Sequence, residues 1–184
     1  MSEPHNFDRV VNRYDSTRGF PPGIEDAIGE FIVQFSELPS DAKILEIGVG
    51  TGRIAVPVAR QGLRVFGIDI SEQMLHRLRK KSSDVQVARA DVRHLPFLTT
   101  SFDAVIVVHV LHLVEQPQLV LQEIQRVLRP EGYLIQGHNE RVSESRMKLL
   151  WDAWQQSSSG AQRRKDWISI NQTVPAAGWQ AVKE

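Results

Sequence analysis

The 184 residues predict an α/β domain, a doubly wound and mostly parallel sheet with helices on both faces, and three observations carry that expectation. An apolar, mostly β-branched run, Ile44-Leu45-Glu46-Ile47, passes without a spacer into Gly48, Gly50 and Gly52, as a buried parallel strand does when it turns sharply. Ile54, Ala55, Val58 and Ala59 then recur at helical spacing, with Gly62 placed as a cap just past the end. A second apolar run, Val65-Phe66-Gly67-Ile68, closes on Asp69, 17 residues beyond the last glycine. Strand, glycine loop, helix, strand and acid describe a Rossmann-type half. Its glycines let a flat ligand lie against the backbone, and its acid can take both hydroxyls of a ribose.

A glycine turn can be purely structural, so its spacing matters. The loop reads Glu46-x-Gly-x-Gly-x-Gly, whereas a dinucleotide loop reads G-x-G-x-x-G to bring a helix N-terminus onto a pyrophosphate. The ligand therefore need not carry phosphate. Residues 45–52 together with Asp69 resemble the first motif and the ribose-binding acid of the class I S-adenosylmethionine (SAM)-dependent methyltransferases, of the small-molecule, ubiquinone/menaquinone-biosynthesis type. The resemblance implies a Rossmann-like sheet of order 3-2-1-4-5. It also implies a cofactor site at Glu46, Gly48, Gly50, Gly52, Asp69 and Ile70.

Composition narrows the alternatives. The length suits one domain over 1–184, and the resemblance implies an N-terminal helical cap over 1–40 and a C-terminal region over 141–184 that is either shortened or differently arranged. The absence of cysteine excludes disulfides, thiolate metal sites and cysteine nucleophiles, and points to a cytoplasmic setting. Lys plus Arg equals Asp plus Glu, so no global field draws in nucleic acid or an anionic membrane. No apolar run approaches the ~18 residues of a membrane span. A small molecule is the expected partner.

Along the chain, Phe7, Val10, Val11 and Tyr14 allow one short amphipathic helix. Phe7-Asp8-x-Val10 with Tyr14-Asp15 and Arg18 resembles the segment that lies over the cofactor pocket in small-molecule methyltransferases. Pro21-Pro22 breaks the chain, and Ile24, Ala27, Ile28, Phe31, Ile32 and Phe35 form the stripe of a helix packed on the sheet. Ser71 caps a helix with Met74, Leu75 and Leu78 inward, and residues 85–88 make a third strand. Asp91 and Val92 follow it, where the resemblance places an acid on the adenine amino group and a backbone amide on a ring nitrogen. Asp91 also reads as a turn-forming aspartate.

Residues 104–110 are the central fourth strand, and the resemblance places a backbone contact to the methionyl end of the cofactor near Val108. A helix over 116–128 has Leu119, Val120, Glu123, Ile124, Val127 and Leu128 on its inner edge. Pro130-Glu131-Gly132 turns into a fifth strand, 133–136. A helical face over 147–154 comes next, and 179–182 looks like strand six with nothing after it. In the family a seventh, antiparallel strand inserts between five and six, so the edge of strand five is expected to stay open, to be covered by 147–154 or to be completed by another chain, with 179–182 as a further segment able to pair there; an open edge favours a homodimer or aggregation.

The chemistry expected of this resemblance is alignment of a nucleophile with an already activated methyl group, with water excluded and no obligatory base. His109 and His138 are the candidate bases, ahead of His112, which more simply packs or caps. No metal is expected, because 107–110 offers no carboxylate and Asp103 points to the other end of the sheet. Two other readings compete: an NAD(P)-dependent oxidoreductase, which leaves the loop spacing and Asp91 unexplained, and a non-catalytic SAM-binding module.

Overall fold

The computed structural model of the chain describes residues 11–18, 24–138, 168–171 and 180–183. Seven strands form one sheet: β1 (Lys43–Ile47), β2 (Arg64–Asp69), β3 (Val85–Arg89), β4 (Phe102–Val108), β5 (Leu128–His138), β6 (Ile168–Asn171) and β7 (Gln180–Lys183). Their order is β3-β2-β1-β4-β5-β6-β7. The first six run parallel, and β7 returns antiparallel on β6. The described helices are α1 (Val11–Arg18), α2 (Ile24–Ser36), α3 (Ala55–Arg60), α4 (Glu72–Lys81) and α5 (Pro117–Val127).

Alternation along the strands builds the two faces. Ile44, Val65, Val85, Ala104, Ile106 and Ile135 pack against Ile28 and Ile32 of α2, Val56 and Val58 of α3, and Leu75 and Leu78 of α4. Leu45, Ile47, Ile68, Val105, Val107 and Leu134 turn to the opposite face and meet Val120, Leu121, Ile124 and Val127 of α5. Both faces are covered, which is why these strands read as continuous apolar runs. Glu46, one residue beyond Leu45, points to the α2–α3–α4 side together with Ile44.

Local expectations hold where local chemistry decides. Ser71 caps α4, its Oγ accepting from the Met74 N–H at 3.1 Å. Gly62 follows α3 with φ +87°. The turn at Pro130-Glu131-Gly132 is present as an irregularity inside β5: Phe102 pairs Leu128 and Ala104 pairs Tyr133, so the extra residues bulge out of the ladder. In α2, by contrast, Ala27 is exposed. The helix approaches its neighbour at Gly29 instead, where a Cβ would lie 2.4 Å from the carbonyl oxygen of Pro57 in α3.

The C-terminal expectation is corrected. Strand five is not left open, because β6 pairs along it from Ile135↔Ile168 to His138↔Asn171. The segment expected as a parallel strand six is β7, antiparallel and outermost. The alternating Ile168-Ser169-Ile170-Asn171 is too short a run to stand out from its flanks, and only the tertiary pairing sets it beside β5. The open edge that favoured a dimer is therefore not at β5. The helical face over 147–154, Trp179, and Phe7 and Val10 lie outside the described residues.

Candidate functional site

The chain leaves β3 at one edge and re-enters the sheet at its centre as β4, so the carboxyl ends of β1 and β4 form the switch point where open α/β sheets bind ligands. The glycine loop lies there. Gly48, Gly50 and Gly52 have φ of +66°, +55° and +77°, conformations that L side chains rarely take. Their surroundings differ. A Cβ on Gly48 would lie 2.3 Å from a Val110 methyl, and one on Gly52 2.9 Å from Leu78 and Val56, whereas nothing stands within 4 Å of one on Gly50. Two of the glycines are demanded by packing, and the middle one opens onto free space.

Asp69 ends β2 directly beside that opening. Its Oδ2 accepts the Gly50 N–H at 2.9 Å and its Oδ1 accepts the Ser71 N–H at 2.9 Å. Both carboxylate oxygens are thus anchored by backbone N–H groups, one from the glycine loop and one from the turn after β2. Ile70 sits between these two anchored residues, and its carbonyl accepts from Arg89 Nε at 2.9 Å.

Glu46 lies beneath the loop with 4 % of its surface exposed. Its Oε2 is buried without a hydrogen-bond partner among the described residues, an arrangement that is costly unless a ligand or proton satisfies it. Burial pushes its carboxyl up from 4.5 to about 8, opposed by the charge of Arg53 and by the backbone N–H of Ala55, and assisted by the charge of Asp69. The unfilled surface of Gly50, the acceptors of Asp69 and the orphaned oxygen of Glu46 thus lie along one short stretch of backbone.

On the other side, the Ala90 N–H reaches the Asp69 carbonyl at 3.1 Å and brings Asp91 and Val92 next to β2. Asp91 forms the turn that its residue type allows, its carbonyl accepting the His94 N–H at 3.0 Å and its Oδ1 the Arg93 N–H at 2.9 Å. The Arg93 guanidinium also clasps the carboxylate, with Nη2 2.6 Å from Oδ2, and holds Asp91 below the usual carboxylate range. Val92 is half-buried against the α5-side core. The loop beyond is braced from α5: Glu123 Oε2 accepts the Leu95 N–H at 2.7 Å, while Arg126 donates to the carbonyls of Leu95 and Phe97 and to Glu123 itself.

At the exit of β4, Val108 is the last strand residue and is buried. His109 follows with φ +56° and donates its N–H to the Gly137 carbonyl at 3.1 Å. Its ring meets that of His112 edge-on, centroids 6.4 Å apart. His112 is exposed in the short 3₁₀ turn Leu111–Leu113. The backbone of His138 closes β5 beside Asn171, and its side chain lies outside the described residues. At the N-terminal end of the sheet, Asp103 accepts the Lys43 N–H at 2.8 Å and pairs with Arg129. It is structural and remote from the glycine loop.

Thr51, 1 % exposed, was not signalled by sequence pattern. Its Oγ1 donates to Asp15 Oδ1 at 2.5 Å and ties α1 to the glycine loop, which sets the half-buried Tyr14 on a helix anchored at the site. Arg18 ends that helix, with its side chain outside the described residues. Arg93, Glu123 and Arg126 were likewise missed as parts of the site. The Glu123-x-x-Arg126 spacing marked a helix face, not the loop that the pair holds.

Residues 45–136, half of the chain, match the methyltransferase domain family. The demethylmenaquinone methyltransferase of Renibacterium salmoninarum is 32 % identical over 138 residues, which cover 70 % of this chain and 55 % of that protein. The chain spans about half the length of the curated relatives it matches. Among solved structures, a candidate S-adenosyl-L-methionine-dependent methyltransferase from Methanococcus maripaludis superposes with a TM-score of 0.64 at 22 % identity, over 85 % of this chain and 80 % of that one. The phospholethanolamine N-methyltransferase 2 of Haemonchus contortus, solved with phosphomonomethylethanolamine and S-adenosylhomocysteine, superposes with a TM-score of 0.60 at 26 % identity, over 81 % and 37 %. Sheet order, glycine loop and sequence match agree, and the chain belongs to the methyltransferase domain family.

Proposed function

We propose that this chain binds S-adenosyl-L-methionine across the carboxyl ends of β1, β2 and β3 and serves methyl transfer to a small-molecule acceptor. The observation that carries the reading is the open surface of Gly50 beside an Asp69 whose two oxygens are fixed by backbone donors. The backbone of Gly48, Gly50 and Gly52 gives the flat bed, and Asp69 accepts from the ribose hydroxyls, with Ile70 beside it. Asp91 and the Val92 amide face the adenine, and the backbone at Val108 faces the methionyl end. The partnerless oxygen of Glu46 suits the positive charge of that end.

When bound, the cofactor supplies a methyl group already activated by its sulfonium. The chain's own contribution is orientation and exclusion of water. Tyr14 and Arg18 on α1 stand as the cap, held down by Asp15 and Thr51. His109 and His138, at the ends of β4 and β5, stand on the acceptor side as candidate bases. The lack of cysteine supports a cytoplasmic setting, and no described helix is long and apolar enough to cross a membrane.

The relatives named as demethylmenaquinone methyltransferases make a demethylated quinol the first acceptor to try. Titration calorimetry with SAM, S-adenosylhomocysteine and NADH, followed by mass spectrometry of methyl transfer to quinol and phosphoethanolamine acceptors, tests the reading. Binding of NADH in preference to SAM would overturn it.

A further inference from the structure

Glu46 is the last residue but one of β1, and its in-register partners are Gly67 on β2 and Ile106 on β4. Neither carries a charge. The position that a Cβ would take on Gly67 lies 2.7 Å from a Val49 methyl, so an apolar side chain fills that flank too. From α3 comes one donor, the Ala55 N–H. Arg53 in the glycine loop favours the ionised carboxylate, and Asp69 at the end of β2 opposes it. Oε2 has no hydrogen-bond partner among the described residues, in a side chain whose residue is 4 % exposed. Burial outweighs Arg53, and the carboxyl keeps its proton up to about pH 8.

A neutral carboxyl in such a pocket stands between two partners. A proton satisfies it while the site is empty. A second cation arriving beside it, in addition to Arg53, makes the ionised form the better one, because a close opposite charge offsets the desolvation that held the proton in place. The O–H bond then breaks, its electron pair stays on the carboxylate and the proton leaves to solvent. No bond to the ligand forms beyond the ion pair.

We infer that ligand binding at the glycine loop is coupled to loss of a proton from Glu46, so that the site selects a cationic amino-acid end over an uncharged nucleoside and tightens on it as the pH rises. The inference rests on the reading of this site as a SAM site. Proton and ligand cation compete for one carboxylate, protonated in the free chain and ionised in the complex. Binding at pH 7 therefore releases about 0.9 proton, and affinity climbs about tenfold from pH 6 to pH 7, more slowly to pH 8, and then levels off. Tyr14 and Asp15 on α1, Asp91 after β3 and His109 after β4 also border the site. They titrate in Glu46→Gln as in the wild type, so that variant isolates Glu46.

The test is calorimetric titration of S-adenosylhomocysteine, which brings an α-ammonium, and of methylthioadenosine, which is uncharged and lacks the amino-acid end, into the wild-type chain and Glu46→Gln. Each titration is run from pH 6 to pH 8 in two buffers of different ionisation enthalpy, so that the heats count the protons exchanged, with thermal melts to compare folding. The wild type is expected to release close to one proton with S-adenosylhomocysteine at pH 7 and none with methylthioadenosine. Glu46→Gln is expected to release none with either and to bind S-adenosylhomocysteine with an affinity flat in pH. A wild-type affinity that is flat in pH with no proton released overturns the inference, because Glu46 then keeps its proton and only donates a hydrogen bond. Equal release with methylthioadenosine overturns it as well, since the nucleoside would then displace the proton without a cation. Release that persists in Glu46→Gln does the same. If that variant does not fold, the proton count and pH slope of the wild type decide. S-Adenosylhomocysteine that fails to bind at any pH overturns the cofactor reading, and this inference with it.

Discussion

Replacing Glu46 by glutamine removes one titration and little else, since the amide keeps the side chain's shape and an acceptor for the Ala55 N–H. In the folded chain the Glu46 carboxyl titrates at about 8, and its ordinary value is 4.5. Between those two values the native state holds a proton that the unfolded state has released. Stability therefore falls with rising pH by about 1.4 kcal/mol per pH unit, and levels off above about 8, where both states are ionised. By pH 7 the wild-type protein has lost on the order of 3 kcal/mol relative to pH 4.5, taken as an upper limit because buried sites relax and admit water. Every other group titrates in both proteins, so the difference between Glu46→Gln and wild type isolates this one. Urea unfolding of the two from pH 5 to pH 9 should give curves that nearly coincide at pH 5 and diverge in favour of Glu46→Gln up to pH 8. A difference that stays constant with pH would refute the reasoning, since it would mean that Glu46 is ionised throughout.

Asp69→Ala should weaken SAM binding by roughly 1–3 kcal/mol, because charge-assisted partners of the ribose are lost; unchanged affinity in a calorimetric titration would reject the ribose assignment. Gly50→Val forces a β-branched residue to φ +55° but meets no atom within 4 Å, so strain of roughly 1–3 kcal/mol is its cost in folding. Its loss of SAM affinity should be the larger effect, and normal folding with normal binding would make the loop only a turn. Arg126→Met strands the carbonyls of Leu95 and Phe97 and one side of Glu123, at about 2–3 kcal/mol. Hydrogen exchange should then quicken over 91–98 ahead of the sheet, and uniform protection across both would contradict the bracing role.

The parts of this protein legible from sequence are those decided within a few residues. Ile44 to Asp69 could be read because strand propensity, glycine turns and helical spacing are local, and the same holds for Ser71, whose hydroxyl caps a helix three residues away. Burial of both faces by helices accounts for the continuous apolar runs of these strands. The tertiary structure alone decided the rest. Thr51 meets Asp15 across 36 residues of chain, Glu123 meets Leu95 across 28, and β6 takes the edge of β5. None of these pairings leaves a local trace, because each residue acquires its partner only when packing brings up a distant segment. The three glycines make the same point, being alike in spacing and conformation. Val110 on one side and Leu78 with Val56 on the other close off Gly48 and Gly52, and that packing leaves Gly50 as the one with room for a ligand.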